Sequence, residues 1–186
     1  LCPQESGLHL GLANAHKLLD NPAAAEAALE QELDLCPESI PAAVNLGWLL
    51  EEQNRVPEAL VQYRKAMYYQ PNHPVLRWNH GLACLMLGDY SRGWRDYEHR
   101  WAARQKAKPT DASPEWRGEP LRGRRLLLHS EQGFGDTLMF VRFAQMLSHT
   151  EEVHLQCQPQ LKRLLSQQTG LTSVVGTSDP APAHDV

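Results

Sequence analysis

The sequence predicts an α-solenoid followed by the first part of an α/β Rossmann-like domain. Three observations carry that expectation. Residues of matching type recur every 34 positions from the start of the chain to about residue 107. A stretch rich in Pro, Gly and charge, ARQKAKPTDASPEWRGEPLRGRR, then breaks the period. Beyond it, short apolar runs of strand type alternate with helix-like segments.

The repeat columns come first. Ala13, Gly47 and Gly81 align, as do Ala25, Ala59 and Gly93; Leu29, Tyr63 and Tyr97; and Pro3, Pro37 and Pro71. Small residues let paired helices approach to roughly 8–10 Å, and the large residue after the second small one fills the space between them. Proline cannot continue a helix, so its recurrence marks the end of a second helix three times. Each unit is therefore a helical hairpin whose apolar face only its neighbours can bury. Leu1-Cys2-Pro3 matches Leu35-Cys36-Pro37 in this phase, so the first residues read as the tail of an upstream repeat and the chain as a piece of something longer.

Composition narrows the class. The 186 residues are 42% hydrophobic and 22% charged, with a formal net charge of -4, as in an ordinary folded protein. No run approaches the roughly 18–20 apolar residues of a spanning helix and no leader opens the chain, so a cytoplasmic protein without membrane insertion is expected. Residues 1–91 hold 5 Lys/Arg against 11 Asp/Glu, whereas 92–125 hold 10 against 5. The basic stretch lies near tryptophans, but the array is acidic and no nucleic-acid motif is present, so nucleic acid is not expected as a partner. Cys2, Cys36, Cys84 and Cys157 form no C-x-x-C pair, which predicts reduced thiols used as small core hydrophobes and no metal site.

The repeats resemble tetratricopeptide repeats. In NLGWLLEEQNRVPEALVQYRKAMYYQP, Leu46-Gly47, Ala59, Tyr63, Ala66 and Pro71 match the signature; the first copy has Glu32, and the third Arg100, where Ala66 stands. Trp94, Tyr97 and Trp101 fall at i, i+3 and i+7 of the last copy and read as one helix face that docks the next domain. Such arrays bind protein or peptide partners in a groove. Asn45 and Asn79 occupy one place in successive repeats, and a carboxamide can both donate to and accept from a peptide backbone. In O-GlcNAc transferases, which this array resembles in outline, a run of asparagines does this; here Gly11 breaks the run.

The expected domains are a repeat array over 1–107, a linker over 108–121 and a partial α/β domain over 122–186. In the last, strands are expected at Leu126–Leu128, Val153–Cys157 and Ser173–Val175, with helices over Asp136–His149 and Pro159–Gln168, in a doubly wound parallel sheet. A partial sheet leaves an exposed edge, so residues past about Gly170 are expected to be poorly ordered or paired with another molecule. The loop SEQGFGD must then sit at the carboxyl end of the first strand, where open α/β sheets bind ligands. It matches neither the P-loop nor the dinucleotide fingerprint. Gly133 and Gly135 permit tight turns and close approach of a ligand. Asp136 stands where a helix N-cap belongs, and a carboxylate there could either cap the helix or accept a proton from an acceptor hydroxyl.

The string WRGEPLRGRRLLLHSEQGFGDTLMFVRF, from Trp116, resembles the junction in bacterial tetratricopeptide proteins fused to GT-B glycosyltransferase domains related to the heptosyltransferases. That resemblance implies Asp136 as catalytic base, His129 and Glu131 as acceptor contacts or substitute bases, and Gly133 and Gly135 near the phosphates of a nucleotide-sugar donor. GT-B enzymes bind the nucleotide mainly through a second domain. The chain by itself is therefore expected to bind no cofactor and perform no transfer, its parent being the enzyme. The rival expectation is a non-catalytic interaction scaffold whose α/β part is a structural dock.

Overall fold

A computed structural model describes residues 7–105, 108, 113–147 and 150–186. The chain forms a helical-repeat solenoid followed by a small parallel α/β sheet, and it divides into two compact units, residues 1–108 and 109–186.

The first unit contains α1 (Leu8–Leu18), α2 (Pro22–Leu35), α3 (Ile40–Glu52), α4 (Val56–Tyr69), α5 (Pro74–Met86), α6 (Tyr90–Tyr97) and a short α7 (Arg100–Ala103). Consecutive helices pair as hairpins, α1 with α2, α3 with α4 and α5 with α6. Proline marks starts as well as ends: Pro22, Pro41, Pro57 and Pro74 occupy first-turn positions, where the missing N–H has no partner to lose. The repeated small residues lie at the helix crossings. Ala13, Ala25 and Ala59 are buried, and a Cβ on Gly81 would meet the Tyr97 backbone nitrogen at 2.7 Å. One continuous core of Ala, Leu, Tyr63 and Cys84 side chains runs through the hairpins. Pro3 and Cys2 lie outside the described residues.

Departures from the repeat signature have structural reasons. Glu32 is 1% exposed, and its carboxylate accepts from the N–H of Gly7 at 2.8 and 2.9 Å and of Leu10 at 3.3 Å, capping the first turn of α1. Arg100 is buried with its guanidinium against the rings of Tyr97 and Trp101, at 4.6 and 4.7 Å. The expected aromatic face of the last copy is not one helix. The chain leaves α6 at Tyr97 and re-enters helix at Arg100, so Trp94 and Tyr97, whose rings meet edge to face at 5.7 Å, lie on α6 and Trp101 lies on α7. Cys36 is disulfide-bonded, which corrects the expectation of reduced thiols there; Cys84 and Cys157 are free and buried.

The second unit contains β1 (Leu126–His129), α8 (Phe134–Phe140) with a 3₁₀ turn (Val141–Met146), β2 (Val153–Cys157), a 3₁₀ turn (Pro159–Leu161) leading into α9 (Lys162–Leu165), and β3 (Ser173–Gly176). The strands are parallel in the order β1-β2-β3, with Leu128 beside Leu155 and Leu155 beside Val174. That face is covered by Val141, Leu161 and Leu165. Both helices are shorter than expected. Apolar residues three and four apart satisfy a 3₁₀ turn as well as an α-helix, so the pattern could not locate the change at Val141. His149, the expected end of the first helix, lies outside the described residues.

The end of the chain corrects another expectation. From β3 it returns to the free edge of β1, passing Gln156, whose Nε2 donates to the Asp179 carbonyl at 3.4 Å. Val186 N–H then donates to Arg125 O at 3.2 Å and Leu127 N–H donates to Val186 O at 2.9 Å. This is the hydrogen-bond pattern of a parallel neighbour. Asp185 anchors it, accepting from the Arg125 N–H at 2.9 Å and from the guanidinium at 3.1 and 2.9 Å. Val186 is buried with Leu121 and Leu126. The three-stranded sheet therefore gains a hydrogen-bonded neighbour on the side of β1 away from β2, made by the single residue Val186.

Candidate functional site

The glycine loop begins where the sheet ends. Ser130 N–H donates to Gln156 O at 2.9 Å, and the chain then turns through Glu131 and Gln132 into α8. Gly133, with φ -74° and ψ 177°, is the N-cap, and Asp136 is the third helical residue. The expected N-cap role of Asp136 is thus corrected: its Oδ2 accepts from the Gly133 N–H at 3.2 Å, closing the first turn from inside. A glycine at the cap has no side chain to return the bond.

Two residues missed in the sequence hold this loop. Thr137, 8% exposed, has Gly133 O at 3.2 Å and Gln158 Oε1 at 3.1 Å from its hydroxyl, which donates to one of them at a time. Gln158 also donates from Nε2 to Gln132 O at 2.8 Å. Position was the available signal: Gln158 follows β2 directly and so shares the carboxyl edge of the sheet with the loop.

The other expected site residues occupy the same edge. His129 ends β1, exposed, with Nδ1 3.1 Å from Gln156 Oε1, so its ring is bound to β2. Glu131 is half-buried two residues on. Gly133 and Gly135 are exposed, and neither is demanded by packing. A Cβ on Gly135 would meet nothing within 4 Å, and one on Gly133 only Asp136 Oδ2 at 3.6 Å. Across the edge, Asp179 accepts from Gly176 N–H at 2.8 Å and from Lys162 at 2.6 Å, and the lysine holds its carboxyl below the usual range. Phe134, Leu138, Met139 and Phe140 expose apolar surface along α8.

In the repeats, Asn45 and Asn79 lie on α3 and α5, the first helices of successive hairpins. Asn79 Nδ2 donates to the Val75 carbonyl at 3.0 Å. Asn45 Nδ2 donates to Asn14 Oδ1 on α1 at 3.4 Å. The row broken at Gly11 is therefore resumed one turn later by Asn14, which a column comparison at fixed spacing cannot find. Beside this pair, the Lys17 ammonium stands 3.1 Å from the centre of the Trp48 ring.

A third polar cluster is enclosed. His80 Nδ1 lies 2.6 Å from Asp96 Oδ2, Arg77 pairs with the other oxygen at 3.0 Å, and Cys84 Sγ is 3.8 Å from the imidazole. A cysteine, a histidine and an aspartate in line invite a nucleophilic reading. Yet Cys84 is 0% and His80 5% exposed, and burial raises the thiol pKa and lowers that of the imidazole. Neutral His80 donates to Asp96 and accepts from Arg64 Nε at 3.5 Å, joining α4, α5 and α6. This cluster is structural. Among the described residues, no group of three or more His, Cys, Asp or Glu is placed to hold a metal.

A family model described as "Tetratricopeptide repeat" matches residues 6–31 and 40–65, so the repeats are of that type. Protein FlbA of Caulobacter vibrioides is 30% identical over 117 residues, covering 60% of this chain; the chain spans a fifth of the length of that relative, 20%. A tetratricopeptide repeat protein of Parabacteroides merdae has 18% identity and a TM-score of 0.48, covering 55% of this chain and 41% of that one. A mutant O-GlcNAc transferase of Thermobaculum terrenum has 18% identity and a TM-score of 0.47, covering 94% of this chain and 42% of that one.

Proposed function

We propose that the repeats recruit a protein or peptide acceptor and that the α/β unit supplies the acceptor-side loop of a glycosyltransferase that uses a nucleotide-sugar donor. One observation carries this reading. The loop of Gly133, Gly135 and Asp136 leaves the carboxyl end of β1, and Gly135 has open space where its fold asks for no glycine. A glycine in the middle of a helix costs about 0.5–1 kcal/mol relative to alanine, and part of that cost falls on Gly135 in the first turn of α8. Close approach of a ligand accounts for that cost.

In this reading Asp136 takes the proton of the acceptor hydroxyl as that oxygen bonds to the anomeric carbon and the bond from that carbon to the nucleotide's phosphate oxygen breaks, releasing the nucleotide. Gly133 and Gly135 leave room for the phosphates, His129 and Glu131 contact the acceptor, and Thr137 and Gln158 keep the loop in register. The test is Asp136→Asn in the full-length gene product. Asparagine can still accept from the Gly133 N–H, so the expected result is unchanged stability with transfer reduced at least about a hundredfold. Retained transfer removes the base assignment.

A second reading is favoured by a specific fact: Asp136 already has a structural task in closing the first turn of α8. On that view the unit is a dock in an interaction scaffold. Full-length protein that neither transfers a sugar nor binds a nucleotide-sugar would establish it.

A further inference from the structure

Lys17 is the sole Lys or Arg among the first 54 residues, which carry nine Asp and Glu. Its ammonium nevertheless rests on no carboxylate. It makes no ion pair among the described residues and stands 3.1 Å above the Trp48 ring. Trp48 is 42% exposed, an unusual position for an indole on an otherwise water-facing surface. It lies one helical turn from Asn45, and Glu52, four residues on along the same face of α3, is exposed and without an ion pair among the described residues.

We infer that the exposed face of Trp48 is a subsite for a basic side chain, Lys or Arg, of an extended peptide, and that Lys17 is its built-in occupant. The inference rests on reading the Asn14, Asn45 and Asn79 surface as peptide-binding. The ring presents its negative face to a cation, and the exposed Glu52 carboxylate one turn away adds to the attraction. Residues 1–91 carry 5 Lys/Arg against 11 Asp/Glu, a net of -6, which draws a basic segment in and disfavours an acidic one. An incoming cation displaces Lys17 rather than filling an empty site, so affinity is held below what the surface would otherwise give.

The experiment titrates the protein with three extended peptides of equal length, alternating serine with lysine, glutamine or glutamate, at one ionic strength. The lysine peptide is expected to bind tightest. Trp48→Leu should abolish most of its advantage over the glutamine peptide, with Trp48→Phe between. Lys17→Ala should tighten the lysine peptide about two- to fivefold, the fold-change matching release of one exposed cation–π contact. That gain should shrink in the Trp48→Leu background, which separates the ring from general charge. An unchanged advantage in both Trp48 variants overturns the subsite. The groove is judged separately by Asn45→Ala/Asn79→Ala: if that protein binds the glutamine peptide as the unaltered protein does, the backbone-holding reading fails while the Trp48 result stands. No binding of any of the three peptides overturns both.

Discussion

A Cβ added to Gly47 would lie 2.3 Å from the Tyr63 ring, so the third hairpin helix and its return helix meet with no room for a methyl group. The first repeat solves the same crossing with Ala13 and Leu29, both buried, pairing a slightly larger residue with a smaller partner. Gly47→Ala should therefore destabilise the protein by about 1–3 kcal/mol of overpacking, despite alanine's better helix propensity. Gly47→Ala/Tyr63→Leu should recover much of the loss, as chemical denaturation would show. An additive double variant would mean that the two residues do not set the crossing.

His80 should make stability depend on pH. It faces Asp96, Arg77, Arg64 and Cys84, and burial outweighs the Asp96 carboxylate, so its folded pKa lies below the ordinary value. The unfolded chain then binds more protons than the native one on the acid side of about 6.5, and stability falls as pH drops through that region. His80→Gln should flatten this part of the curve. The check is urea unfolding across pH 5–7.5, with both proteins at one salt concentration.

Asp185 and Arg125 fasten the last residues to β1. The guanidinium and the Arg125 N–H hold the Asp185 carboxyl far below the usual carboxylate range. A carboxyl with a depressed folded pKa contributes above its unfolded value and loses the contribution only as pH falls through the folded one. Amide exchange at Leu127, which donates to Val186, should stay slow at pH 4 and accelerate in Asp185→Asn. Ser130, bonded instead to Gln156, should not change. Equal acceleration at both amides would point to loss of the sheet as a whole.

Glu32 should behave as a helix cap, although the signature has alanine in its column. Glu32→Ala removes the acceptor of the Gly7 and Leu10 N–H groups, and a loss of about 0.5–2 kcal/mol is expected, read as earlier thermal fraying of α1. Glu32→Gln should retain part of it. An Ala variant as stable as the parent would reduce this carboxylate to a tolerated departure.

The repeats were legible because a helical hairpin poses the same packing problem every 34 residues, and one geometry admits few residue types at each crossing. Short strand-type runs between helical segments likewise located the three strands: Leu126–Leu128 is continuously apolar, whereas β2 alternates Val153, Leu155 and Cys157 with His154 and Gln156. What chain order could not convey was where separate elements meet. Gly133 carries no side chain to mark a cap, so residue type along the chain points to Asp136, three residues beyond the true cap. Asn14 joins Asn45 diagonally between helices, off the repeat column. A single bridging residue, Val186, has no period at all, yet it hydrogen-bonds the edge of β1 away from β2. Spacing along the chain determined the elements, since it fixes which side chains share a face. Distances across the chain decided the cap, the asparagine row and the sheet edge, since hydrogen bonds answer to proximity in space.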